Sequence, residues 1–168
     1  MKRVLVIGSP GAGKTTFSKR LAKQLGLPLH HLDYYYHDDT FSYQTDKAAW
    51  RRKVTELAGK PQWIIDGNYK SSFDIRFPRA DTIIFLDYPR STTLRRAVGR
   101  RIKLHGKVRD DMPSNWKEKF SLGLLKFIWS YNAVERPKLY DLLEKARPNK
   151  RVVILSSSRQ ADAFLANI

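Results

Sequence analysis

The 168-residue sequence contains no cysteine, which excludes disulfide frameworks, thiolate nucleophiles and zinc sites built on cysteine. Long hydrophobic runs are also missing: VLVIG and TIIFL are far shorter than the roughly 20 residues that a transmembrane helix needs. The first residues, MKRVLVIGSPGAGK, are basic and then briefly apolar, but glycine and lysine follow at once, so we expect no secretory signal peptide. These absences predict a cytoplasmic protein with no membrane partner.

Acidic residues are scarce: 16 Asp and Glu stand against 32 Lys and Arg, which gives a net charge of +16 and a pI near 10.2. The excess is uneven, because residues 88–168 hold 18 basic and 7 acidic residues (net +11), whereas residues 1–87 hold 14 and 9 (net +5). A basic surface attracts polyanions such as nucleic acid, nucleotides and anionic lipid. Composition alone also leaves open a solvated basic face with no specific partner.

One motif goes beyond composition. Residues 3–7 (RVLVI) predict a buried parallel strand, and residues 8–15 (GSPGAGKT) match the phosphate-loop pattern G-x-x-x-x-G-K-[ST] at every fixed position. Phe17, Leu21 and Leu25 then recur at helical spacing. The motif therefore lies between a predicted strand and a predicted helix, as phosphate binding requires, and this context argues against a chance glycine-rich turn.

The residue types of this loop suit a nucleoside triphosphate. Glycines let backbone N–H groups point at a phosphate, and the helix N-terminus adds a favourable dipole. Lys14 is expected to reach the β- and γ-phosphates and to act in catalysis, Thr15 to ligate Mg²⁺, and Thr16 to donate to the α-phosphate. The predicted ATP-binding residues of the loop are Gly8, Ser9, Pro10, Gly11, Ala12, Gly13, Lys14, Thr15 and Thr16.

Five strands are predicted, with helical patterns between them, which indicates an α/β fold with a parallel sheet. They cover residues 3–7, 28–33, 62–66, 81–87 and 151–156. Three of them end in a carboxylate, Asp33, Asp66 or Asp87, at the sheet edge where α/β proteins bind ligands. These residues are candidates for Mg²⁺ contacts and for activating an acceptor hydroxyl, although a strand-end aspartate also commonly caps the following turn, above all at Asp87.

Five segments carry a family resemblance: GSPGAGKTTFSKRLA, LPLHHLD, WIIDGNY, ADTIIFLDYPRSTTLRR and VVILSSSRQADAFL. Together they resemble the adenylate-kinase-like P-loop kinases, and more narrowly the group named DNA topology modulation proteins. The resemblance implies a P-loop NTPase fold: a five-stranded parallel sheet in the order 2-3-1-4-5, flanked by helices. It also implies one domain, with an acceptor-side helical insertion at about 35–61 and a lid at about 99–120. The remaining core covers residues 1–34, 62–98 and 148–168.

The resemblance also implies roles for two carboxylates. Asp66 corresponds to the family's Mg²⁺ carboxylate, and Asp33 to the strand-2 carboxylate that binds or activates the acceptor hydroxyl. Lys70 stands where adenylate kinases have an acceptor-binding arginine. Because lysine does not reproduce the bidentate fork of arginine, this departure argues against AMP as the acceptor.

Four arginines are candidates for phosphate contacts. Arg96 and Arg100 lie four residues apart on a helix predicted from Ser91, and Arg109 lies in the predicted lid. In kinases of this kind, arginines of this helix and of the lid act on the transferring phosphoryl group, but a solvated helix face explains each of them equally well. By the same resemblance, Arg159 is expected to cover the adenine ring.

A helix is predicted from Pro137 to before Pro148, and three amphipathic helices are predicted between the helix of the phosphate loop and Pro137. Their inward faces are Trp50, Val54 and Leu57; Leu94, Val98 and Ile102; and Trp116, Phe120, Leu124, Phe127, Ile128 and Trp129. Residues 34–36 (YYY) either stack on the acceptor or, as we favour, pack the insertion. The nearby His30, His31 and His37 lack the spacing of a metal site.

The sequence favours ATP-dependent phosphoryl transfer, with ATP and Mg²⁺ as cofactors, to a small-molecule or nucleotide acceptor that it does not name. Two alternatives stay open: an ATP-binding, nucleic-acid-associated regulator, and a P-loop ATPase without an acceptor. Nucleic-acid binding is expected to be weak, because a lid that neutralises a triphosphate is basic in any case and no nucleic-acid-binding motif is visible. Monomer and homodimer fit the sequence equally well.

Overall fold

The computed structural model describes residues 1–37, 46–103, 113 and 122–168. Its strands are β1 (Arg3–Gly8), β2 (Leu29–His31), β3 (Trp63–Asp66), β4 (Thr82–Leu86) and β5 (Arg151–Leu155). They form one sheet in the order β2-β3-β1-β4-β5, and every neighbouring pair is parallel. The predicted strands and their predicted order are confirmed.

Helices flank both faces of the sheet. Those of the described residues are α1 (Lys14–Leu25), α2 (Leu32–Tyr36), α3 (Lys47–Gly59), α4 (Phe73–Arg79), α5 (Arg90–Lys103), α6 (Leu122–Val134), α7 (Arg136–Ala146) and α8 (Ser158–Ala166). A 3-10 turn, Lys70–Ser72, precedes α4. Within this part of the chain no helix is long and apolar enough to cross a bilayer.

The sheet is buried on both faces, because its central strands carry consecutive apolar residues, VLVI in β1, WII in β3 and IIFL in β4, rather than alternating apolar and polar ones. One face packs against α3, α4 and α7 through Leu5, Ile7, Ile65, Ile83, Phe85, Trp50, Val54, Leu57, Phe73, Leu139 and Leu143. The other packs against α1 and α8 through Val4, Val6, Ile64, Ile84, Leu86, Phe17, Leu21, Ala161 and Leu165. The predicted inward faces of α1 and α3 are thereby confirmed, and the loops at the carboxyl ends of the strands share one edge.

Strand β2 is shorter than predicted. It ends at His31, and α2 begins directly at Leu32, so Asp33 lies in the first turn of a helix and not at the end of a strand. A carboxylate in that first turn is favoured by the helix dipole. Asp33 nevertheless stays at the ligand-binding edge of the sheet, where the resemblance placed it.

Helix α5 turns a different face to the core than periodicity predicts. Thr93, Ala97 and Arg101 are buried, whereas Ile102, predicted to face inward, is 74% exposed. The reason is a contact with the phosphate loop: a Cβ atom on Gly11 would lie 2.2 Å from the carbonyl oxygen of Thr93. This long-range contact sets the rotation of α5.

Helix α6 corrects a second prediction. Ile128 is buried as expected, together with Tyr131, but Phe127 is 39% and Trp129 61% exposed. The guanidinium of Arg90 covers the Trp129 ring at 4.7 Å from its centroid. A helix that is apolar nearly all round gives no periodic signal for which face is buried.

Two predicted segments fall largely outside the described residues. Of the lid at about 99–120, the structure describes residues 99–103 and 113, so the prediction for Arg109 lies outside them, as do Trp116 and Phe120. Of the insertion at about 35–61, residues 38–45 are outside, and α3 with its N-cap Asp46 is inside.

Candidate active site

The phosphate loop joins β1 to α1. Gly11 and Gly13 adopt φ angles of 81° and 87°, a region that residues with a Cβ rarely occupy. Gly11 is doubly constrained, because a Cβ at this position would also clash with the backbone of Thr93. At these two glycines, no side chain of the residue itself covers the main-chain N–H group on the side of the loop where α1 begins.

Lys14 closes over this loop. Its Nζ donates to the carbonyl oxygens of Gly8, at 2.9 Å, and Ser9, at 3.2 Å. These contacts hold the ammonium group across the mouth of the loop. A phosphate seated in the loop would meet this charge and the backbone N–H groups together.

A cavity of about 1220 Å³ extends from the loop. Residues 10–16 line it on one side, and Asp33, Asp66, Arg96 and Arg100 line it from elsewhere in the fold. The structure thus brings together the described residues to which sequence analysis gave catalytic or metal-binding roles. Gly8 and Ser9 lie at the base of the loop and do not line this space.

Arg96 bridges the phosphate loop and the C-terminal helix. Its Nη1 donates to the carbonyl oxygen of Ala12 at 3.3 Å, and its Nη2 to the hydroxyl of Ser158 at 2.7 Å. The guanidinium also stacks over the Tyr88 ring, 5.0 Å from its centroid. Arg100 follows one turn later on α5 and lines the same cavity.

Arg159 is placed differently from the prediction. It is exposed and does not line the cavity; Ser158, Ala161 and Asp162 of the same helix do. Ser157 caps α8, its hydroxyl accepting from the Gln160 backbone N–H at 3.2 Å. Arg159 thus lies on α8 outside the lining of the cavity.

Asp66 ends β3 and is buried at the cavity wall. Its Oδ2 lies 2.9 Å from Nδ1 of His31, the last residue of β2. Thr15 lines the same cavity, so the cavity wall carries a hydroxyl and a carboxylate, both hard oxygen donors of the kind that Mg²⁺ prefers. No group of three or more His, Asp or Glu side chains converges within the described ranges. The residues fit an ion held mainly by substrate phosphates and water.

The carboxylate of Asp33 is hydrogen-bonded to a neighbouring tyrosine. The hydroxyl of Tyr69 donates to its Oδ1 at 2.8 Å. Burial, and secondly the negative charge of Asp33, raise the pKa of Tyr69 far above its ordinary value. The phenol therefore stays protonated and donates to the carboxylate throughout the physiological range.

Asp87, the third strand-end carboxylate, does not line the cavity. Its Oδ1 accepts from Arg136 Nε at 2.8 Å, and its Oδ2 accepts from Arg136 Nη2 and from the Tyr140 hydroxyl, each at 2.7 Å. The pairing raises the pKa of Arg136. Asp87 neither caps a turn nor contacts the site; it ties β4 to α7.

Sequence reasoning missed two residues that frame the site, Asn68 and Arg76. The Asn68 amide brackets Gly8, accepting from its N–H at 3.1 Å and donating to its carbonyl oxygen at 2.9 Å. Arg76 is fully buried and donates to three consecutive main-chain carbonyls. No periodic or motif signal marks Arg76, because its partners are backbone atoms.

Comparison with known proteins agrees with this geometry. The family model described as AAA domain matches residues 4–111. A shikimate kinase of Parabacteroides distasonis is 60% identical over 35 residues, which are 21% of this chain and 20% of that protein. The match thus spans about one fifth of that relative's length.

Solved structures show the same fold across the whole chain. A shikimate kinase from Acinetobacter baumannii in complex with shikimate is 16% identical, with a TM-score of 0.59, over 99% of this chain and 90% of that one. A gluconokinase from Sinorhizobium meliloti 1021 is 17% identical, with a TM-score of 0.55, over 99% and 92%. The P-loop kinase fold is confirmed, while the narrower resemblance to DNA topology modulation proteins stays a prediction.

Proposed function

Since the chain belongs to the AAA domain family and has the fold of a P-loop kinase, we propose that it transfers the γ-phosphoryl group of Mg·ATP to a hydroxyl of a small molecule. One observation carries the proposal: a single cavity is lined by the phosphate loop with Lys14, by the carboxylates Asp33 and Asp66, and by Arg96. These are the parts that phosphoryl transfer needs.

On the nucleotide side, the loop N–H groups and Lys14 hold the phosphates. Lys14 exchanges the carbonyl oxygens of Gly8 and Ser9 for phosphate oxygens, so its charge is already in place. Thr15 and Asp66 would hold Mg²⁺, which supplies neutralisation of the phosphate charge when bound.

On the acceptor side, Asp33 is the general base. The acceptor oxygen forms a bond to Pγ while its proton passes to a carboxylate oxygen of Asp33. The bond from Pγ to the bridging oxygen breaks, and ADP leaves with that electron pair. Arg96 and Arg100 line the space where charge develops on the transferring group, and Arg109 is a further candidate from the lid.

A hydroxyl acceptor is supported by the site rather than by composition. Asp33 accepts from Tyr69 through Oδ1, which leaves its other oxygen for an acceptor proton. The similar proteins include kinases named for shikimate and gluconate, which carry hydroxyl groups, and this chain shares their fold.

The test is labelled-phosphate transfer from ATP by the purified protein, screened against hydroxy acids, sugars, nucleosides, nucleotides and 5′-hydroxyl oligonucleotides. We expect a labelled product with at least one acceptor. Lys14→Ala should lose transfer by about 10³-fold or more, since the lysine faces phosphate and not the core. Lys23→Ala, an exposed lysine on the same helix that does not line the cavity, is the matched control.

Two outcomes would overturn the proposal. Release of inorganic phosphate with every acceptor, and no labelled product, would favour the ATPase alternative. Normal turnover in Lys14→Ala, with an unchanged circular dichroism spectrum, would contradict the assignment of the phosphate loop itself.

A further inference from the structure

The turn that follows β3 contacts both halves of the candidate site. Gly67 keeps the sheet pairing for one more step, since its N–H donates to the Val6 carbonyl oxygen at 3.2 Å. Asn68 and Tyr69 then point to different partners, Asn68 to Gly8 and Tyr69 to Asp33. Three consecutive residues thus connect the base of the phosphate loop to the acceptor carboxylate.

At the start of the phosphate loop, the Asn68 side chain makes the two hydrogen bonds that a neighbouring strand would otherwise make to Gly8. Its amide satisfies both main-chain groups of Gly8, as the next residue of β3 would have done. The Gly8 carbonyl oxygen that accepts from Asn68 also accepts from Lys14 Nζ, at 2.9 Å. Asn68 therefore fixes the position of an oxygen that holds the lysine.

Tyr69 is held in a strained conformation. Its φ of 24° makes it the one non-glycine residue with positive φ among those described. Its ring packs at centroid distances of 4.8 Å from Tyr36 and 5.0 Å from Trp50, while its hydroxyl reaches Asp33. Strain of this kind persists only where the surrounding structure enforces it.

Arg76 enforces it. Nη1 donates to the Gly67 carbonyl oxygen at 2.8 Å, and Nη2 to those of Asn68, at 2.7 Å, and Tyr69, at 3.0 Å. The side chain is fully buried, and burial lowers its pKa to about 9, which still leaves the guanidinium charged at neutral pH. The guanidinium also lies over the Phe73 ring, 5.0 Å from its centroid. Burying a charge whose hydrogen bonds go to carbonyls is costly, so the turn it organises must offset that cost.

We propose that the turn of residues 67–69, fixed by Arg76, positions the two reacting partners relative to each other. Asn68 sets the base of the phosphate loop, Tyr69 sets the carboxylate of Asp33, and Arg76 acts on both through the backbone. All three are positioning residues: Asn68 and Tyr69 line the cavity and act through Gly8 and Asp33, and Arg76 acts through the backbone. The inference rests on the proposed function for its kinetic consequences and on the contacts alone for its structural ones.

The decisive pair of variants is Asn68→Leu and Tyr69→Phe, each of which keeps most of the side-chain volume. Asn68→Leu should weaken Mg·ATP binding by about tenfold, since it loses both bonds to Gly8. Tyr69→Phe should leave Mg·ATP binding within about twofold of the wild-type value. It should lower kcat/KM for the acceptor by about tenfold or more, because one hydrogen bond to a charged group is lost. Calorimetry measures the first effect and steady-state kinetics the second.

NMR separates this inference from the proposed function. In the protein without ligand, Asn68→Leu should move the Gly8 amide resonance and not the Asp33 carboxyl carbon, and Tyr69→Phe should do the reverse. These shifts need no acceptor and no turnover. If the wild-type protein makes no product with any acceptor, the proposed function fails, and the two shift patterns still decide the inference.

Arg76→Met should move both resonances and impair both parameters, and Arg76→Lys should restore part of each, because lysine reaches fewer carbonyls. If Arg76→Met does not fold, Arg76→Lys and the two single variants carry the test. The inference is overturned if Asn68→Leu and Tyr69→Phe impair the same parameter to the same extent. It is equally overturned if neither variant moves its own resonance.

Discussion

The two walls of the cavity are built in different ways. We name the two walls after the proposed function. The nucleotide wall is one continuous segment of the cavity lining, residues 10–16, which includes the hydroxyl side chains of Thr15 and Thr16. The acceptor wall is made of side chains from separate elements: Asp33 from α2, Asp66 from β3, and Tyr69 from the turn before α4. Backbone groups recognise the phosphates that all nucleotides share. Side chains can be replaced by mutation, so the acceptor wall can change its substrate specificity.

This difference predicts which kind of substitution damages each wall. The nucleotide wall should be sensitive to an added Cβ, because its geometry depends on glycine φ angles and on close backbone contact. The acceptor wall should be sensitive to the loss of single polar atoms and tolerant of small changes in volume. The predictions below test this contrast, from the largest expected effect to the smallest.

Gly11→Ala should have the largest effect. The new Cβ would meet the Thr93 carbonyl at 2.2 Å and force alanine to φ 81°, so we expect a loss of about 2–4 kcal/mol of unfolding free energy and no measurable nucleotide binding. Gly99→Ala is the control: nothing lies within 4 Å of its Cβ on helix α5, and it should gain about 0.5–1 kcal/mol. Urea unfolding and ATP titration measure both, and equal stability of the two variants would contradict the account of the loop.

Arg96→Ala should lower kcat by about 10³-fold with a much smaller change in the Kd for ATP, because the charge that it meets develops mainly in the transition state. Arg95→Ala, an exposed neighbour that does not line the cavity, should behave like the wild-type protein. Arg96 also donates to Ala12 and Ser158, so a purely structural role would instead raise Kd and lower the melting temperature. Stopped-flow kinetics and calorimetry on the same preparations distinguish these patterns.

These first two predictions also mark how much could be read from the sequence. The phosphate loop and the strands were predictable because each depends on residues adjacent in the chain, such as the apolar run that ends at Gly8. The strand order came from the family resemblance instead. The rotation of α5 was not, because it is set by Thr93 against Gly11, 82 positions earlier in the chain. Nor were Asn68 and Arg76, whose partners are backbone atoms without a sequence signature.

Asp33→Asn and Asp66→Asn should separate the two roles within the acceptor wall. Asp33→Asn should lower kcat/KM for the acceptor by about 10²-fold and leave ATP affinity within about twofold, since it removes the proton acceptor. Asp66→Asn should instead raise the Mg²⁺ concentration needed for half-maximal rate. If Asp33→Asn damaged ATP binding as much as Lys14→Ala does, the division between the walls would be wrong.

Strand β2 lies behind the acceptor wall and contains His30, and we expect the protonation of this histidine to make the folding stability depend on pH. Burial, followed by the charges of Lys60 and Lys53, lowers the pKa of His30 from 6.5 to about 4, and its Nδ1 lies 3.1 Å from the Tyr35 hydroxyl. The unfolded chain therefore binds a proton between pH 6.5 and about 4 that the folded chain does not, so stability is lost as pH falls through this window. We expect a loss of about 2 kcal/mol after allowing for solvent screening. Urea unfolding of His30→Gln should show less of this slope.

The smallest expected effect concerns the basic half of the chain. Several of its cations are already paired: Arg136 with Asp87, Lys145 with Asp141, and Arg147 with Glu144. Others, Arg96 and Arg100, line the cavity, where a nucleotide would occupy them.

No nucleic-acid-binding motif is visible in the sequence, and we therefore expect weak binding to duplex DNA that neutralises fewer than about three phosphates. Since each neutralised phosphate contributes about −0.9 to the log–log salt slope, the slope should be shallower than about −3. Fluorescence anisotropy with a labelled duplex between about 50 and 200 mM salt measures it. A slope of about −5 or steeper that Mg·ATP did not change would contradict this prediction. The basic charge would then belong to a nucleic-acid interface, and the acceptor wall would be of secondary importance to the function.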